Sequence, residues 1–236
     1  VIGDRAVETV VAALRAAEAE CGTAAVVAAR HRLEHLEMLS PPLLADLSRL
    51  GVVASVQPMF DALWGGDSSM YAERLGRERA VAMNPFADLS RAGVGLAFGS
   101  DSPVTPLGPW EAVRAAAQHH TAAQRLTVRA AFAAHTRGGW RAAGVDDSGV
   151  LAPGQRASYA VWDVAETDLV VQTPDARVAA WSTDPRAGVQ GLPDLSPGAP
   201  VPTCLRTVAA GRVIYERTED EETAGTDPAA QRGVGP

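Results

Sequence analysis

The feature that most constrains this chain is a repeated alternation of short strand-like and helix-like segments between residues 26 and 119. Segments rich in apolar and β-branched residues predict strands at about 26–35, 52–57 and 94–100. Segments that open on proline, which suits the first helical turn, predict helices from about residues 40, 84 and 108. Strands that alternate with helices over short links form right-handed βαβ units. The alternation therefore predicts an α/β fold around a parallel sheet.

Three strands are too few to close a barrel of eight parallel strands. An amphipathic helix is predicted before them, because apolar residues recur every three or four positions between Asp4, its predicted N-cap, and Glu20. Another helix is predicted from Thr127, and residues 59–83 are predicted to form a long loop with some helix. Residues 1–145 therefore predict the C-terminal half of a (β/α)8 TIM-type barrel, so we expect a longer parent chain, as the initial Val1 also suggests.

After Gly144 the sequence changes to short β-prone segments separated by glycine and proline. These segments, at 149–153, 158–164 and 205–215, predict a small β unit within residues 146–216. An irregular loop is predicted at 172–202, which is rich in Pro, Gly, Asp and Ser. The end of the chain, 217–236, is first acidic and then rich in Gly and Pro, so it is predicted to be disordered.

Composition excludes several classes of function. Lys and Arg number 21 against 28 Asp and Glu, and the net charge of −7 argues against a nucleic-acid or membrane partner held by charge. Because no lysine occurs, this chain contains no P-loop, Schiff-base or metal-bridging lysine. Cys21 and Cys204 lie too far apart in sequence to indicate a disulfide framework or a thiolate zinc site. A small-molecule partner and a cytoplasmic location are the resulting expectations, since no signal peptide or long apolar run is present.

Two polar residues stand where predicted parallel strands end. His35 ends the first predicted strand and Asp101 comes directly after the third, and polar residues at such ends face the active site of a βα barrel. An imidazole and a carboxylate together suit a divalent metal ion and hydrolysis by activated water. The alternatives are a core histidine at His35 and a turn aspartate at Asp101, because Asp-Ser-Pro is favourable turn chemistry.

The other histidines and one aromatic segment admit structural interpretations. The adjacent His119-His120 is predicted to be a cation pair at a helix end, and His135, on an apolar helical stripe, is predicted to be a core histidine. Trp64, with Asp61 and Tyr71, lines a substrate pocket in one interpretation and anchors its loop to the barrel in the other.

Five motifs occur in the order in which the metal-dependent amidohydrolase superfamily has them, and they resemble its YtcJ-like branch, which includes N-substituted formamide deformylase. They are Ile2-Gly3-Asp4-Arg5-Ala6-Val7, Arg30-His31-Arg32-Leu33-Glu34-His35, Ser55-Val56-Gln57-Pro58, Gly99-Ser100-Asp101-Ser102-Pro103-Val104, and Gly149-Val150-Leu151-Ala152-Pro153-Gly154 with 208–215. The resemblance implies about strands six to eight of the barrel, part of a small β-sandwich, and one or two divalent metal ions, with zinc expected. It implies that His35 is a metal ligand and that Asp101 is both a metal ligand and the general base.

The implied activity is hydrolysis of amide-type C–N bonds in small molecules. Gln57, Trp64 and Ser102 are the residues that we expect to contact the substrate, and a homodimer is left open as an assembly. The family's ligands on strands one, four and five are absent from the 236 residues, so we expect this chain alone to bind catalytic metal poorly and to be inactive. Two alternatives stay open: a deaminase on the same scaffold, and a catalytically silent relative that acts as a binding or assembly module.

Overall fold

The computed structural model describes residues 1–171 and 191–218, and a three-stranded parallel sheet lies at its centre. The strands are β1 (Arg32–Glu34), β2 (Val53–Val56) and β3 (Gly95–Phe98), adjacent in chain order. Ala54 of β2 pairs with Leu33 on one side and with Leu96 on the other. This arrangement confirms the α/β class, and the strands predicted at 52–57 and 94–100 are β2 and β3.

Ten α-helices accompany this sheet in the described part of the chain, and all but the first are short. They are α1 (Asp4–Cys21), α2 (Thr23–Ala28), α3 (Leu44–Arg49), α4 (Pro58–Trp64), α5 (Met70–Leu75), α6 (Arg77–Val81), α7 (Phe86–Arg91), α8 (Pro109–Ala117), α9 (Val128–Ala133) and α10 (Gly139–Ala142). A π-helical segment, Ala134–Gly138, joins α9 to α10. Within the ranges described, no helix has both the length and the apolar character needed to cross a membrane.

One contiguous core holds the helices against the sheet. Val7 and Val11 of α1, Leu47 of α3 and Phe86 of α7 are completely buried in it, together with Val56 of β2, which is 1% exposed. Burial of an aliphatic or aromatic side chain of this size contributes roughly 1.5–3 kcal/mol each. The core therefore places the helices that flank β2 and β3, and with them the loops that follow those strands.

The predicted strand at 26–35 is wrong over most of its length. Residues Thr23–Ala28 form helix α2, since alanine has the highest helix propensity and outweighs the two valines of this segment. Arg30, at φ 54°, then turns the chain toward β1. The strand ends at Glu34 because His35 and Leu36 adopt the left-handed backbone, with φ values of 73° and 50°.

Two further predictions need correction near the helices. Asp4 is the first residue of α1 and not its cap: Gly3 holds the cap position, and the Asp4 carboxylate accepts a hydrogen bond from the backbone N–H of Arg5. Residues 59–83 are mostly helical, because Pro58 starts α4 and glycines at positive φ, Gly66 at 94° and Gly76 at 84°, allow the chain to turn between short helices.

The C-terminal part contains two antiparallel sheets. The larger has the order β4 (Tyr159–Asp163), β7 (Thr203–Ala209), β8 (Arg212–Glu216), and the smaller pairs β5 (Leu169–Val171) with β6 (Gly191–Pro193). Ala210 and Gly211, both at positive φ, make the tight turn between β7 and β8. The predicted β segment at 149–153 is not a strand, since Gly149 at φ 84° and Pro153 interrupt extended pairing.

Side chains of α8 and of Gln118, which follows it, contact this C-terminal part. Trp110 of α8 contacts Trp162 of β4 edge to face, with ring centroids 5.9 Å apart, and Gln118 donates to the carbonyl of Leu195 at 2.5 Å. Residues 172–190 of the loop predicted at 172–202 and residues 219–236 of the tail predicted at 217–236 lie outside the described residues, and the described end of that loop is not wholly irregular because it contains β6. The division between residues 145 and 146 stays a prediction.

Candidate functional site

Polar residues follow the C-terminal ends of all three parallel strands. His35 comes directly after β1, Gln57 directly after β2, and Asp101 three residues after β3. The parallel pairing brings these ends to one edge of the sheet. Ligands of α/β proteins bind at this edge, outside the carboxyl ends of the strands. The structure thus places three of the predicted site residues along a single edge.

His35 is half-buried and held by three contacts. Its backbone N–H donates to the carbonyl of Ser55 at 2.8 Å, and its Nδ1 lies 2.9 Å from Oε1 of Gln57. The ring of Phe60 lies nearly parallel to the imidazole, with an interplanar angle of 14° and a centroid distance of 6.0 Å. Positive φ is uncommon outside glycine and concentrates at functional sites, so the value of 73° at His35 also marks this position.

Asp101 is exposed in a tight turn after β3. Its φ of 54° is again left-handed, and its carbonyl accepts a hydrogen bond from the N–H of Val104 at 2.8 Å. Ser102, also exposed, donates its backbone N–H to Oγ of Ser100 at 3.2 Å. The predicted turn geometry and the strand-end location therefore occur together at Asp101.

Trp64 lies within a row of rings that begins at His35, continues through Phe60 and ends at Tyr71. Its ring centroid is 4.7 Å from that of Phe60 and 6.2 Å from that of Tyr71. Asp61 and Tyr71 are buried, at 3% and 8% exposure, which favours the loop-anchor interpretation for these two residues. Trp64 is half-buried, and substrate contact at Trp64, Gln57 and Ser102 stays a prediction.

A buried polar cluster, which sequence reasoning missed, joins Asp61 to the end of α8. Oδ2 of Asp61 accepts hydrogen bonds from the backbone N–H and the Nδ1 of His120, at 3.0 and 3.1 Å. Nε2 of His119 lies 3.0 Å from the carbonyl of Asn84 and 3.3 Å from Oδ1 of Asp61. Since Nδ1 of His119 accepts from the N–H of Thr121, the ring is neutral with its proton on Nε2.

The predicted cation pair at His119-His120 is therefore wrong for His119. Its side chain is 1% exposed, and burial lowers the pKa of His119 below its ordinary value of 6.5, although the charge of Asp61 acts in the opposite direction. The free-energy cost of removing an imidazolium from water exceeds the stabilisation that the C-terminal end of a helix gives to a cation. No local spacing could have revealed the cluster, because 58 positions separate Asp61 from His119 in the sequence.

These histidines predict how stability depends on pH. Burial lowers the pKa of both His119 and His135, so below about pH 6.5 the unfolded chain binds protons that the folded chain does not. We expect the free energy of unfolding to fall as the pH is lowered from about 7.5 to about 5.5, by at most about 1.4 kcal/mol per pH unit for each histidine. Urea titrations of the chain across this range measure the slope.

A matched variant separates the two contributions. His135→Phe keeps an aromatic ring beside Phe98, whose centroid lies 6.4 Å from that of His135, and removes one titrating group. The slope should then decrease and not vanish, because His119 remains. A free energy of unfolding that stays constant or rises as the pH falls through this range would contradict the neutral, buried assignment.

The residues at the strand ends offer two donor types that suit a metal ion. His35 supplies an imidazole and Asp101 a carboxylate, the combination that zinc and similar divalent ions accept. Residues 1–171 and 191–218 contain no group of three or more His, Cys, Asp or Glu side chains arranged to hold an ion. Further ligands would therefore be needed to complete a coordination sphere around these two.

Comparison with known proteins identifies the family. Residues 1–215 match the sequence profile of the Amidohydrolase family. The chain belongs to this family. Membership agrees with the superfamily resemblance carried by the five motifs, and it does not distinguish the YtcJ-like branch from others.

Individual relatives of this amidohydrolase-family chain are longer proteins. Protein LONG AFTER FAR-RED 3 of Arabidopsis thaliana is 34% identical over an alignment of 155 residues, and the match covers 59% of this chain and 26% of that protein. The imidazolonepropionase of Ruegeria pomeroyi is 33% identical over 132 residues, 56% of this chain and 29% of that protein. An uncharacterized metal-dependent hydrolase from Pyrococcus furiosus superposes with a TM-score of 0.55 at 30% identity, covering 66% of this chain and 31% of that chain. The chain thus spans about a third or less of the length of these relatives.

Proposed function

We propose that this chain is the C-terminal part of a metal-dependent hydrolase that acts on amide-type C–N bonds in small molecules. The observation that carries the proposal is the location of His35 and Asp101 at one edge of a parallel sheet in an amidohydrolase-family chain. In this proposal β1 to β3 are strands six to eight of a (β/α)8 barrel of the YtcJ-like type, and the antiparallel sheets are part of a β-sandwich. The likeness to a metal-dependent hydrolase of Pyrococcus furiosus supports it.

The two residues have distinct roles in the proposed reaction. A divalent metal ion, which we propose is zinc, would activate water for attack on the amide carbonyl. His35 and Asp101 would hold the ion, together with ligands from the rest of the protein. Asp101 also accepts the proton of the attacking water and passes it to the nitrogen of the departing amine. Because Asp101 is exposed at the strand edge, its carboxylate is accessible to water and substrate.

Two other functions remain as alternatives to be separated from the first. A deaminase could use the same histidine and aspartate, and the similarity to imidazolonepropionase, whose name refers to an imidazolone ring, keeps ring compounds among the candidates. A silent binding or assembly module would need neither residue. The cytoplasmic location, a homodimeric assembly and the inactivity of the 236 residues alone stay predictions.

Metal analysis and a substrate panel on the complete protein test the proposal. We expect one or two zinc ions per chain, release of amine from N-formylated amines and small amides, and loss of activity on chelation that zinc restores. Release of ammonia from aminated heterocycles alone would favour the deaminase. Absence of both bound metal and turnover would favour the silent module and would contradict the proposed hydrolase.

A further inference from the structure

We propose that Gln57 is a positioning residue that holds His35 with its proton on Nδ1 and leaves the lone pair of Nε2 available for a ligand. The hydrogen bond between Nδ1 of His35 and Oε1 of Gln57, at 2.9 Å, carries this inference. A neutral imidazole donates from one nitrogen and accepts at the other, so an oxygen acceptor at Nδ1 selects one tautomer. The consequence for a metal ion rests on the proposed function, whereas the tautomer itself does not.

The burial of Gln57 makes this contact hard to replace by water. Gln57 is 5% exposed. A buried amide that loses its hydrogen-bond partner destabilises the folded protein, because water cannot reach the amide to replace that partner. Two exposed groups at the same distance would form hydrogen bonds to water in place of the one between them. The Gln57 amide is therefore a fixed acceptor for His35 and is poorly accessible to a substrate, which argues for positioning over the substrate contact predicted from sequence.

The local backbone explains why this amide is available. Gln57 occupies the cap position of α4, yet its side chain makes no capping hydrogen bond. Its carbonyl instead accepts the N–H of Phe60 at 3.0 Å, and Pro58 occupies the first helical turn. The side chain of Gln57 is thus left to reach His35, while the same turn presents the Phe60 ring parallel to the imidazole.

Three contacts from one neighbouring segment thereby position His35. The carbonyl of Ser55 binds its backbone N–H, the amide of Gln57 binds its Nδ1, and the ring of Phe60 packs on its face. Metal-binding histidines commonly donate their second ring nitrogen to an oxygen in this way, which fixes both the tautomer and the orientation of the ring. The left-handed backbone at His35 is held by the same partners.

Nitrogen NMR of the imidazoles in the 236-residue chain tests the tautomer directly. The chain has five histidines, and His35→Gln identifies the signals of His35 by their loss. We expect a protonated Nδ1 and an unprotonated Nε2 at His35 at a pH of about 8. Protonation at Nε2 in the unaltered chain would mean that Gln57 donates through its amino group, and it would overturn the proposal.

Two variants of Gln57 form a matched pair. Gln57→Leu keeps the approximate size and removes the acceptor, so we expect His35 to populate both tautomers. Gln57→Glu keeps an oxygen acceptor, so we expect the Nδ1–H form to persist. If Gln57→Leu fails to fold, Gln57→Asn, which is one methylene too short, replaces it. An unchanged tautomer in a folded Leu or Asn variant would overturn the proposal.

Zinc titration of the complete protein tests the consequence for the metal site. We expect the zinc affinity of Gln57→Leu to fall about 10- to 100-fold and that of Gln57→Glu to remain within a few-fold of the unaltered protein. Equal zinc affinities in all three would refute the positioning role while leaving the proposed function intact. Absence of zinc binding in the unaltered protein, with the Nδ1–H tautomer present, would refute the proposed function and leave the tautomer assignment standing.

Discussion

Replacement of Asp101 by asparagine in the complete protein is expected to lower kcat by a factor of about 10³. Asparagine has nearly the same shape as aspartate and lacks a basic oxygen, so it cannot take the proton of the attacking water. It also tolerates the left-handed backbone that Asp101 adopts at φ 54°, whereas alanine there would add strain and confuse the result. Because Asp101 is exposed, the substitution leaves the core unchanged.

The measurement is kcat at saturating amide, taken together with zinc content and the thermal midpoint. Val104→Ala is the matched control, since Val104 is 52% exposed in the same turn and carries no titratable group. We expect this control to keep kcat within about threefold of the unaltered protein, because substitutions at exposed positions generally have small effects. A comparably small effect in Asp101→Asn, with zinc still bound, would remove Asp101 from the role of base.

The helices and strands that could be predicted from sequence are those whose own residues mark where they begin or end. β2 lies in a run rich in β-branched residues that Pro58 stops, and α8 begins at Pro109. In both cases a proline in the sequence marks the boundary. Helix α2 was missed because its two valines favour a strand and were given more weight than its three alanines, whose higher helix propensity prevails in this segment. Residues 59–83 were predicted as a loop with some helix, and the bounds of α4, α5 and α6 could not be assigned because each helix is shorter than the window in which a helical period can be recognised.

The candidate site divides in the same way. His35 and Asp101 could be selected because position at the end of a strand is a local property. The partner of His35 could not, since the contact with Gln57 depends on the register between β1 and β2, which pairs Glu34 with Ser55. The Asp61 cluster likewise requires α4 and the end of α8 to meet in three dimensions.

Among the glycines that the structure describes, Gly138 is the one at which an added methyl group would lie nearest to another backbone atom, so we expect a large loss of stability there. A Cβ at this position would lie 2.1 Å from the carbonyl oxygen of Leu96, a backbone atom of strand β3 that cannot move away as a flexible side chain could. We therefore expect Gly138→Ala to lower the free energy of unfolding by about 3 kcal/mol, at the upper end for overpacking. The corresponding fall in Tm is about 6–12 °C for a chain of this size.

The adjacent glycine provides the control. Gly139 has a helical φ of −59°, and a Cβ there would lie within 4 Å of no atom beyond its chain neighbours and its own helix backbone, so Gly139→Ala should stabilise the chain by about 0.5–1 kcal/mol through helix propensity. Urea denaturation of both variants measures the difference between their free energies of unfolding, provided that the two m-values are equal. Two variants of similar stability would show that the helix does not approach β3 this closely. Because β3 leads directly to Asp101, a confirmed clash would also show that this helix fixes the position of the strand that carries the proposed base.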